Sequence, residues 1–250
     1  MTILKLGGSI LTDKKVPFSI KWDNLERIGL EIKESLNNLD NLIIIHGGGS
    51  FGHPVAKKYL KDNKFINMNE GFWEIQRAMR RFNNIIIDIL QSYDIPAVSI
   101  QPSSFAYYKE NKIFFDTYTI RLMLKKGLIP VVHGDIIVSE DNYKIISGDD
   151  IAPILAKDFK FKILYATDVD GIYVNGEVID EINSSNYNEI LNHLKGSEGI
   201  DITGGMAYKI KTLYNYKVDA QVFNGNKKRY IYKALSGKNV GTRILFGDIA

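Results

Sequence analysis

Short apolar segments alternate with stretches of helical apolar spacing along almost the whole 250-residue chain. Apolar runs predict strands at residues 3–6, 42–45, 97–100, 129–132, 163–166 and 220–223. Two helical faces lie between them: Leu25, Ile28, Ile32 and Leu36 form one, and Ile151, Ile154 and Leu155 begin another. Because strands and helices alternate in this way, the sequence predicts a parallel sheet that is covered by helices on both faces.

One irregular feature interrupts the alternation, an antiparallel hairpin predicted over residues 136–147 with its turn at residues 140–142. The strand-and-turn pattern starts again after residues 157–162. A chain of 250 residues is near the upper limit for one hydrophobic core. We therefore expect one domain, with an N-terminal lobe of about residues 1–158 and a C-terminal lobe of about residues 159–250.

Composition excludes several kinds of chemistry. The chain has no cysteine, which rules out disulfides, thiolate metal sites and thiol catalysis. Its net charge of +3 is too small to indicate a nucleic-acid partner. The longest apolar runs fall far short of a membrane span, and Met1 leads directly into the first predicted strand instead of a secretory leader. We expect a cytoplasmic protein that binds neither membranes nor nucleic acid.

The segment LIIIHGGGSFGHP at residues 42–54 fits three glycine motifs at once. These are the dinucleotide fingerprint G-x-G-x-x-G, the nucleophile elbow G-x-S-x-G and the Walker frame G-x-x-x-x-G. All three share one physical basis, a strand that ends at a glycine turn before a helix whose exposed N–H groups attract an anion. We expect the helix to begin near Phe51 or Pro54, with Pro54 in its first turn.

Each specific motif lacks a required partner. A dinucleotide site needs an acidic residue at a strand end about 20 residues further on, but Glu70 precedes a predicted helix. A hydrolase needs an acid and then a histidine after Ser50, and His133 stands in another strand-and-glycine turn. The Walker motif needs a hydroxyl group where the chain has Pro54. An anion cradle with His53 as an added donor remains.

Four further segments combine glycine with charge. Lys5 is delivered by a strand into a Gly7-Gly8-Ser9 turn, and Lys14 follows nine residues later. The segment GDD at residues 148–150 puts two aspartates at a predicted helix start, and DVDG at residues 168–171 puts two at a strand end. At these places aspartates could cap backbone amides, hold Mg²⁺ or orient lysines. The segment at residues 204–209 begins another helix with two glycines and places Lys209 one turn inside it.

In this order, KLGGSILTDK, HGGGSFGHP, ISGDDIAPILA, ATDVDGIY and DITGGMAYKI resemble the amino-acid kinase superfamily over nearly the whole chain. Within it, the histidine after GGGSFG and the segment GFWEIQRAMRRF resemble the archaeal isopentenyl phosphate kinases. This resemblance implies a three-layer α/β/α sandwich with a mostly parallel central sheet, a homodimer, and ATP with Mg²⁺ as the phosphoryl donor. The implied reaction is phosphorylation of isopentenyl phosphate to isopentenyl diphosphate, in isoprenoid biosynthesis by the mevalonate pathway.

The same resemblance implies roles for individual residues. The implied catalytic residues are Lys5, Lys14, His53, Asp149 and Lys209, with Asp149 orienting the lysines. Residues implied to hold the acceptor phosphate are Gly8, Gly48, His53 and Gly148. Residues implied to contact the nucleotide or the transferred group are Lys5, Gly7, Gly8, Ser9, Gly49, Asp168, Asp170, Gly171, Gly205 and Lys209. No metal ligand is assigned.

Physical chemistry agrees with a histidine donor at the acceptor. A phosphate monoester has a second pKa of about 6, so the acceptor is already largely ionised at neutral pH and needs no general base. For the acceptor tail, Phe72, Ile75 and Met79 share one face of the helix that follows the glycine loop. Each of them alone is more often a core residue, but together they suggest a wall for a five-carbon chain.

Three alternatives stay open at this level, and one of them is an NAD-dependent oxidoreductase. A kinase of the same fold could act on another acceptor, such as fosfomycin, UMP or an amino acid. A nucleotide sensor or nucleic-acid-binding module could use the same scaffold, although retention of the three lysines and Asp149 argues against a dead enzyme. Arg77, Arg80 and Arg81 on one helix are usually solvated or paired, not a nucleic-acid surface.

Overall fold

The computed structural model describes residues 1–61, 64–65, 68–196 and 205–247. The strands are β1 Thr2–Leu6, β2 Leu42–His46, β3 Leu60–Lys61, β4 Lys64–Phe65, β5 Ala97–Ile100, β6 Ala106–Lys109, β7 Lys112–Phe115, β8 Ile129–His133, β9 Asp135–Ser139, β10 Tyr143–Ile146, β11 Lys162–Thr167, β12 Tyr173–Val174, β13 Glu177–Val178, β14 Glu181–Asn183, β15 Ala220–Asn224 and β16 Thr242–Leu245. The helices are α1 Gly8–Leu11, α2 Trp22–Ser35, α3 Gly49–Tyr59, α4 Met68–Ser92, α5 Tyr118–Lys125, α6 Gly148–Phe159, α7 Tyr187–Gly196, α8 Gly205–Tyr216 and α9 Tyr230–Leu235.

A central sheet of eight strands organises these elements, in the order β14-β16-β15-β11-β1-β2-β8-β5. Every neighbouring pair is parallel except β15 with β16. All six strands predicted from the sequence lie in this sheet, within one or two residues of the predicted bounds. The mostly parallel sheet is therefore confirmed.

Alternate residues of the central strands face opposite helical layers, because successive side chains of a strand point to opposite sides. Ile3 and Tyr165 pack in a core with helices α6, α7 and α8. Leu4 and Leu164 pack in a second core with helices α2, α4 and α9. The strand residues are fully buried on both sides, which is typical of a parallel sheet covered by helices. The chain thus forms the expected α/β/α sandwich.

A second sheet of four strands, in the order β10-β9-β6-β7, lies beside the large one. The predicted hairpin at residues 136–147 is confirmed as the antiparallel pair β9 and β10. Its turn is closed by a hydrogen bond of 2.8 Å from the N–H of Ser139 to the carbonyl of Asn142. Strands β6 and β7 were not predicted from the sequence.

Helix α3 begins earlier than predicted, at Gly49, so the expectation of Pro54 in its first turn is wrong. Pro54 is the sixth helical residue, and it has no N–H to donate to the carbonyl of Ser50. That carbonyl instead accepts a hydrogen bond of 3.1 Å from the N–H of Phe18. The missing helical bond is thus used to attach the loop that contains Lys14.

None of the helices within the described ranges combines the length and the apolar character that crossing a membrane would require. The expected boundary between two lobes, at residues 158–159, falls in the last turn of α6, just before β11 begins at Lys162. The central sheet continues across this boundary because β11 pairs with β1.

Candidate active site

The carboxyl ends of the parallel strands meet at one edge of the central sheet and end in glycine turns there. Strand β1 ends before Gly7, β2 ends before Gly47, and β8 ends before Gly134. Open α/β sheets bind ligands outside the carboxyl ends of their strands. The fold therefore brings together the glycine segments that lie far apart in the sequence.

Two of these glycine turns approach so closely that side chains would collide. A Cβ atom on Gly8 would lie 2.6 Å from both the Cα and the N of Gly49. Gly49 also has a φ of +48°, in the left-handed region that favours glycine. Glycine at both positions allows the β1 and β2 turns to form one continuous floor.

A cleft of about 1110 Å³ opens over this floor. Most of the site residues expected from the sequence line it, and these are Lys5, Gly7, Gly8, Ser9, Lys14, Gly48, His53, Gly148, Asp149, Asp168, Gly171, Gly205 and Lys209. Residues 5, 53 and 209, which come from three distant segments, thus share one cavity. That convergence is the geometry required for a shared phosphate site.

Asp149 joins two of the lysines. Its Oδ1 lies 2.9 Å from the Nζ of Lys5 and 2.9 Å from the Nζ of Lys209. Burial alone would raise the pKa of Asp149, but the two ammonium groups outweigh it and hold the pKa well below its ordinary value. The carboxylate therefore stays ionised and keeps both lysines directed into the cleft.

The first turns of α6 and α8 are held together by a second contact beside this one. Asp150 caps α6 by accepting hydrogen bonds of 2.7 Å from the N–H and the hydroxyl of Ser147. Its other oxygen accepts a hydrogen bond from the hydroxyl of Tyr208. The Nζ of Lys209 also lies 4.6 Å from the ring centre of Tyr165, within range of a cation–π interaction.

His53 and Lys14 also line the cleft, and both residues keep a large part of their surface exposed. Partial burial lowers the pKa of His53, and the positive charges of Lys14 and Lys5 lower it further. An anion that bound between these groups would reverse the charge effect and favour the imidazolium form. The arrangement suits a doubly negative ligand.

The loop that carries Lys14 is fixed to the glycine turn by hydroxyl groups. Ser50 is buried, its N–H donates to the Oγ1 of Thr12 at 2.9 Å, and its Oγ donates to the carbonyl of Ser19 at 3.0 Å. His133 is also buried, and it hydrogen-bonds the backbone of Gly134. Ser50 is therefore a structural hydroxyl, and no Ser–His pair exists among these residues for nucleophilic catalysis.

The nucleotide end of the cleft differs in detail from expectation. Asp168 lines the cleft, whereas Asp170 is outside the described lining and contacts Asn224 at 2.8 Å and Lys227 at 2.9 Å. A Cβ on Gly171 would lie 2.5 Å from Val178, so this glycine also serves packing. Gly49 likewise lies outside the described lining. The nucleotide contacts expected for Gly49, Asp170 and Gly171 stay predictions. Residues 201–204, which begin the last glycine segment, lie outside the described residues.

A smaller cavity of about 70 Å³ adjoins the acceptor side, and Gly48 and His53 border both spaces. Ile75 and Met79 line the small cavity, and their contact with the acceptor tail stays a prediction. Phe72 is not among its described lining residues; its ring packs 4.8 Å from that of Tyr143. The reason is that Phe72 stands one turn earlier on α4, opposite the β9–β10 hairpin.

Several lining residues were missed by sequence reasoning. Ala56, Asp135, Ile145 and Ile146 line the small cavity, and Tyr173, Val174, Asn192 and His193 line the cleft at the end where the nucleotide is expected. The hairpin was predicted, but its position over the acceptor loop was not. No local motif marks such residues, because only the tertiary fold brings them to the site.

Within the described ranges, no three histidine, aspartate or glutamate side chains are grouped so that they could hold a metal ion. Asp168 lines the cleft and makes no ion pair with another described residue. Mg²⁺ in kinases keeps several waters and uses one or two carboxylates together with substrate phosphates. A cleft that offers the carboxylate of Asp168 beside an expected phosphate site fits that mode.

Comparison with known proteins identifies the class. Residues 1–221 match the Amino acid kinase family. Because the match covers most of the chain, the protein belongs to this family. The fold class and the resemblance predicted from the sequence are confirmed.

Individual relatives narrow the class further. The chain is 61% identical to the isopentenyl phosphate kinase of Methanocaldococcus jannaschii, over 99% of this chain and 100% of that protein. It is 35% identical to the isopentenyl phosphate kinase of Methanothermobacter thermautotrophicus, over 98% of each. A solved structure described as "X-ray structures of isopentenyl phosphate kinase" matches with a TM-score of 0.82 at 32% identity, covering 98% of this chain and 100% of that one. Within its family the chain therefore falls among the isopentenyl phosphate kinases.

Proposed function

We propose that the protein transfers the γ-phosphoryl group of ATP to isopentenyl phosphate and forms ADP and isopentenyl diphosphate. The relatives that carry this activity in their names align with essentially the whole chain. The observation that carries the proposal is that His53 and Gly48 border both the large cleft and the small apolar cavity. A phosphate at His53 can therefore have its tail in apolar surroundings while its oxygens face the lysines.

The lysines supply the charge neutralisation that the reaction requires. Phosphoryl transfer passes through a loose transition state, so positioning and electrostatic stabilisation provide most of the catalysis. Lys5 and Lys209 are buried and share the Asp149 carboxylate, so their ammonium groups are oriented before substrate binds. Lys14, from its loop, would add a third positive charge near the transferred phosphoryl group.

The chemical step needs no base from the protein. An oxygen of the acceptor phosphate forms a bond to the γ-phosphorus, the bond from that phosphorus to the β,γ-bridging oxygen breaks, and ADP leaves with the electron pair. Because the acceptor oxygen is already ionised, no proton has to be removed. His53 and the backbone N–H groups of Gly8, Gly48 and Gly148 would bind the acceptor and the transferred group.

Mg²⁺ belongs to the proposal as a partner of the nucleotide. When bound, it would neutralise charge on the phosphates, with Asp168 as the carboxylate on this chain best able to hold it. Asp149 is engaged by two lysines, so it serves as an orienting group and not as a metal ligand.

Cellular context and assembly are further parts of the proposal. We propose a cytoplasmic enzyme of isoprenoid biosynthesis by the mevalonate pathway, built of acceptor-binding residues 1–158 and nucleotide-binding residues 159–250. A homodimer is supported by an apolar row across the small sheet, where Phe114, Tyr107 and Val138 lie side by side and exposed.

The direct test measures ADP release by the purified protein with isopentenyl phosphate, dimethylallyl phosphate, UMP, fosfomycin and acetylglutamate. We expect the two five-carbon phosphates to be used and the product to be a diphosphate by ³¹P NMR. Turnover of UMP or acetylglutamate without turnover of isopentenyl phosphate would assign the protein to another acceptor of the family. Salt-dependent tight binding of DNA or RNA without turnover would favour the non-enzymatic alternative.

A further inference from the structure

The loop at residues 13–19, here called the Lys14 loop, is attached to helix α3 through Ser50. The N–H of Phe18 donates to the carbonyl of Ser50 at 3.1 Å, and the N–H of Ser19 donates to its Oγ at 3.0 Å. The same Oγ donates to the carbonyl of Ser19 at 3.0 Å. Residues 13–18 are exposed, whereas Ser50 is 1% exposed. An exposed loop is thus held by one buried residue of the glycine segment.

The carbonyl of Ser50 can accept from the loop because of the residue that follows four positions later. In a regular α-helix this carbonyl would accept from the N–H of residue 54. That residue is Pro54, which lies inside α3, has no N–H, and carries a ring that clashes with the carbonyl four residues before it. The helix therefore offers no N–H at this position to compete with that of Phe18.

The loop needs this attachment because its backbone is strained at Phe18. Phe18 has a φ of +58°, in the left-handed region that a bulky side chain rarely adopts. Such a conformation persists only where surrounding contacts hold it. Here the contacts are the bond to the carbonyl of Ser50 and the edge-to-face packing on Phe51, with ring centres 5.4 Å apart. Loss of the first contact would let Phe18 relax and move the loop.

A movement of the loop would change the position of Lys14, four residues before Phe18. Lys14 lines the cleft, and its positive charge contributes to the lowered pKa of His53, so the two side chains lie near each other. Pro54 is not among the described residues that line the cleft or the small cavity. Any effect of Pro54 on the cleft must therefore pass through its neighbours.

We propose that Pro54 is a positioning residue for phosphoryl transfer, which keeps the carbonyl of Ser50 open to the Lys14 loop and so directs the ammonium group of Lys14 into the cleft. This inference rests on the proposed function, because it places Lys14 beside the transferred phosphoryl group. A proline within the helix is thus used to hold a catalytic loop and not only to bend the helix.

The first experiment measures kcat with isopentenyl phosphate and the urea midpoint of unfolding in parallel. Pro54→Ala restores the helical N–H, so Phe18 loses its acceptor, and kcat should fall about 3- to 10-fold, the value of one hydrogen bond. The urea midpoint should stay the same or rise, because alanine suits a helix interior. Pro54→Leu also restores the N–H and serves as a second variant if the alanine variant folds poorly.

Val55→Ala is the matched control on the next residue of α3. Val55 already has an N–H, and its half-buried side chain packs against the core. Shortening it should lower the urea midpoint and leave kcat unchanged, which is the opposite of the result expected for Pro54→Ala. A merely structural role of Pro54 would lower the midpoint as Val55→Ala does.

Two further measurements connect Pro54 with Lys14. In a Lys14→Ala background, Pro54→Ala should change kcat by less than about twofold, because the group that it positions is absent. Trypsin cleaves after lysine, and cleavage after Lys14 and Lys15, followed by mass spectrometry, reports on the loop directly. We expect cleavage there to be at least about threefold faster in Pro54→Ala than in Val55→Ala.

The outcomes separate the two proposals. If the natural chain phosphorylates another acceptor of the panel instead, the proposed function fails, and the same variants measured with that acceptor still decide the role of Pro54. If it phosphorylates none, both proposals fail. An unchanged kcat in Pro54→Ala overturns the inference, and so does an equal loss with and without Lys14. A loss of kcat with a lower urea midpoint and no faster cleavage of the loop also overturns it.

Discussion

Lys5, in the central strand β1, and Asp149, in the first turn of α6, form an ion pair of 2.9 Å. The same carboxylate oxygen lies 2.9 Å from Lys209 at the start of α8. One anionic group therefore fixes two cations from opposite ends of the sequence. Without it, the two ammonium groups would repel each other across the place where a phosphoryl group must pass.

Replacing this shared anion should be severe. We expect Asp149→Asn to lower kcat by about 100-fold or more, similar to the loss of one preorganised transition-state donor. Asp158→Asn is a matched control on the same helix, because Asp158 is exposed and far from the cleft lining, where it pairs with Arg121 and accepts a hydrogen bond from the hydroxyl of Thr117. Steady-state kinetics with isopentenyl phosphate would test this, and equal activity of the two variants would contradict the role of Asp149.

The imidazole of His53 should act on the acceptor more than on ATP. A hydrogen bond to a charged group is worth about 1.5–3 kcal/mol, so His53→Ala should reduce kcat/KM for the acceptor roughly 10- to 150-fold. His53→Asn retains a donor and should lose less. The KM for ATP, measured in parallel, should change little. An unchanged kcat/KM at limiting acceptor would exclude the proposed contact.

Tyr208 should act through its neighbour Lys209. Its hydroxyl bonds Asp150, and the side chain is half exposed, so Tyr208→Phe should reduce kcat/KM about fivefold. In a Lys209→Ala background the same change should have almost no further effect. Tyr216→Phe, at the end of α8, serves as the control. Additive losses in the double variant would show that Tyr208 does not position Lys209.

Two buried histidines should make the fold sensitive to acid. Burial, with smaller effects of His133 and Lys5, lowers the pKa of His46 to about 3. The unfolded chain therefore binds protons more readily, and stability falls as pH drops below the unfolded value of about 6.5. We expect His46 to account for a loss of about 2 kcal/mol in unfolding free energy between pH 7 and pH 5.

Urea unfolding at pH 7 and pH 5 measures this change. His46→Gln should make the dependence on pH shallower, although His133, whose pKa burial also lowers, will keep part of it. A slope unaffected by His46→Gln would mean that the buried imidazole is not the group that titrates.

The close approach of Gly8 and Gly49 predicts a large difference between two glycine substitutions. Gly49→Ala would strain a φ of +48° and press a Cβ against Thr12, so we expect a loss above about 3 kcal/mol. Gly127 has a φ of +74° but open space around it among the described residues. Gly127→Ala should cost only the backbone strain, about 1–2 kcal/mol. Similar unfolding free energies for the two variants would contradict the close packing.

Much of the fold could be predicted because the parallel strands are continuous apolar runs that are buried on both faces. Leu42 to Ile45 and Ile163 to Ala166 are examples, and both are strands within a residue or two of the predicted bounds. Pro54 was misassigned because its usual first-turn position is only a preference. In this chain the carbonyl that Pro54 leaves free is used by Phe18.

For the site, local motifs located residues near the strand ends but not those brought by tertiary packing. Lys5, His53 and Lys209 each stand in a glycine segment, and they do share a cleft. Asp135 and Ile145 carry no such mark, and Phe72, one turn earlier on α4, packs against Tyr143 outside the cavity lining, so its contact with the acceptor stays a prediction. Which side of the cavity a hairpin covers depends on long-range contacts that spacing does not encode.

The β9–β10 hairpin has a further consequence. It supplies Ile145 and Ile146 to the tail cavity, and the chain then continues through Ser147 directly to Gly148 and Asp149. The residues proposed to contact the hydrocarbon and the residue that orients the lysines are thus only three or four peptide bonds apart in the chain. Enlarging the cavity from the hairpin side, in evolution or by engineering, would act on the segment that leads into Asp149, whereas enlarging it from α4 would change the packing of Met79 against Gly48 and Gly52 and leave that segment as it is. Adaptation to longer acceptors should therefore accumulate at Ile75 and Met79 before it touches the hairpin.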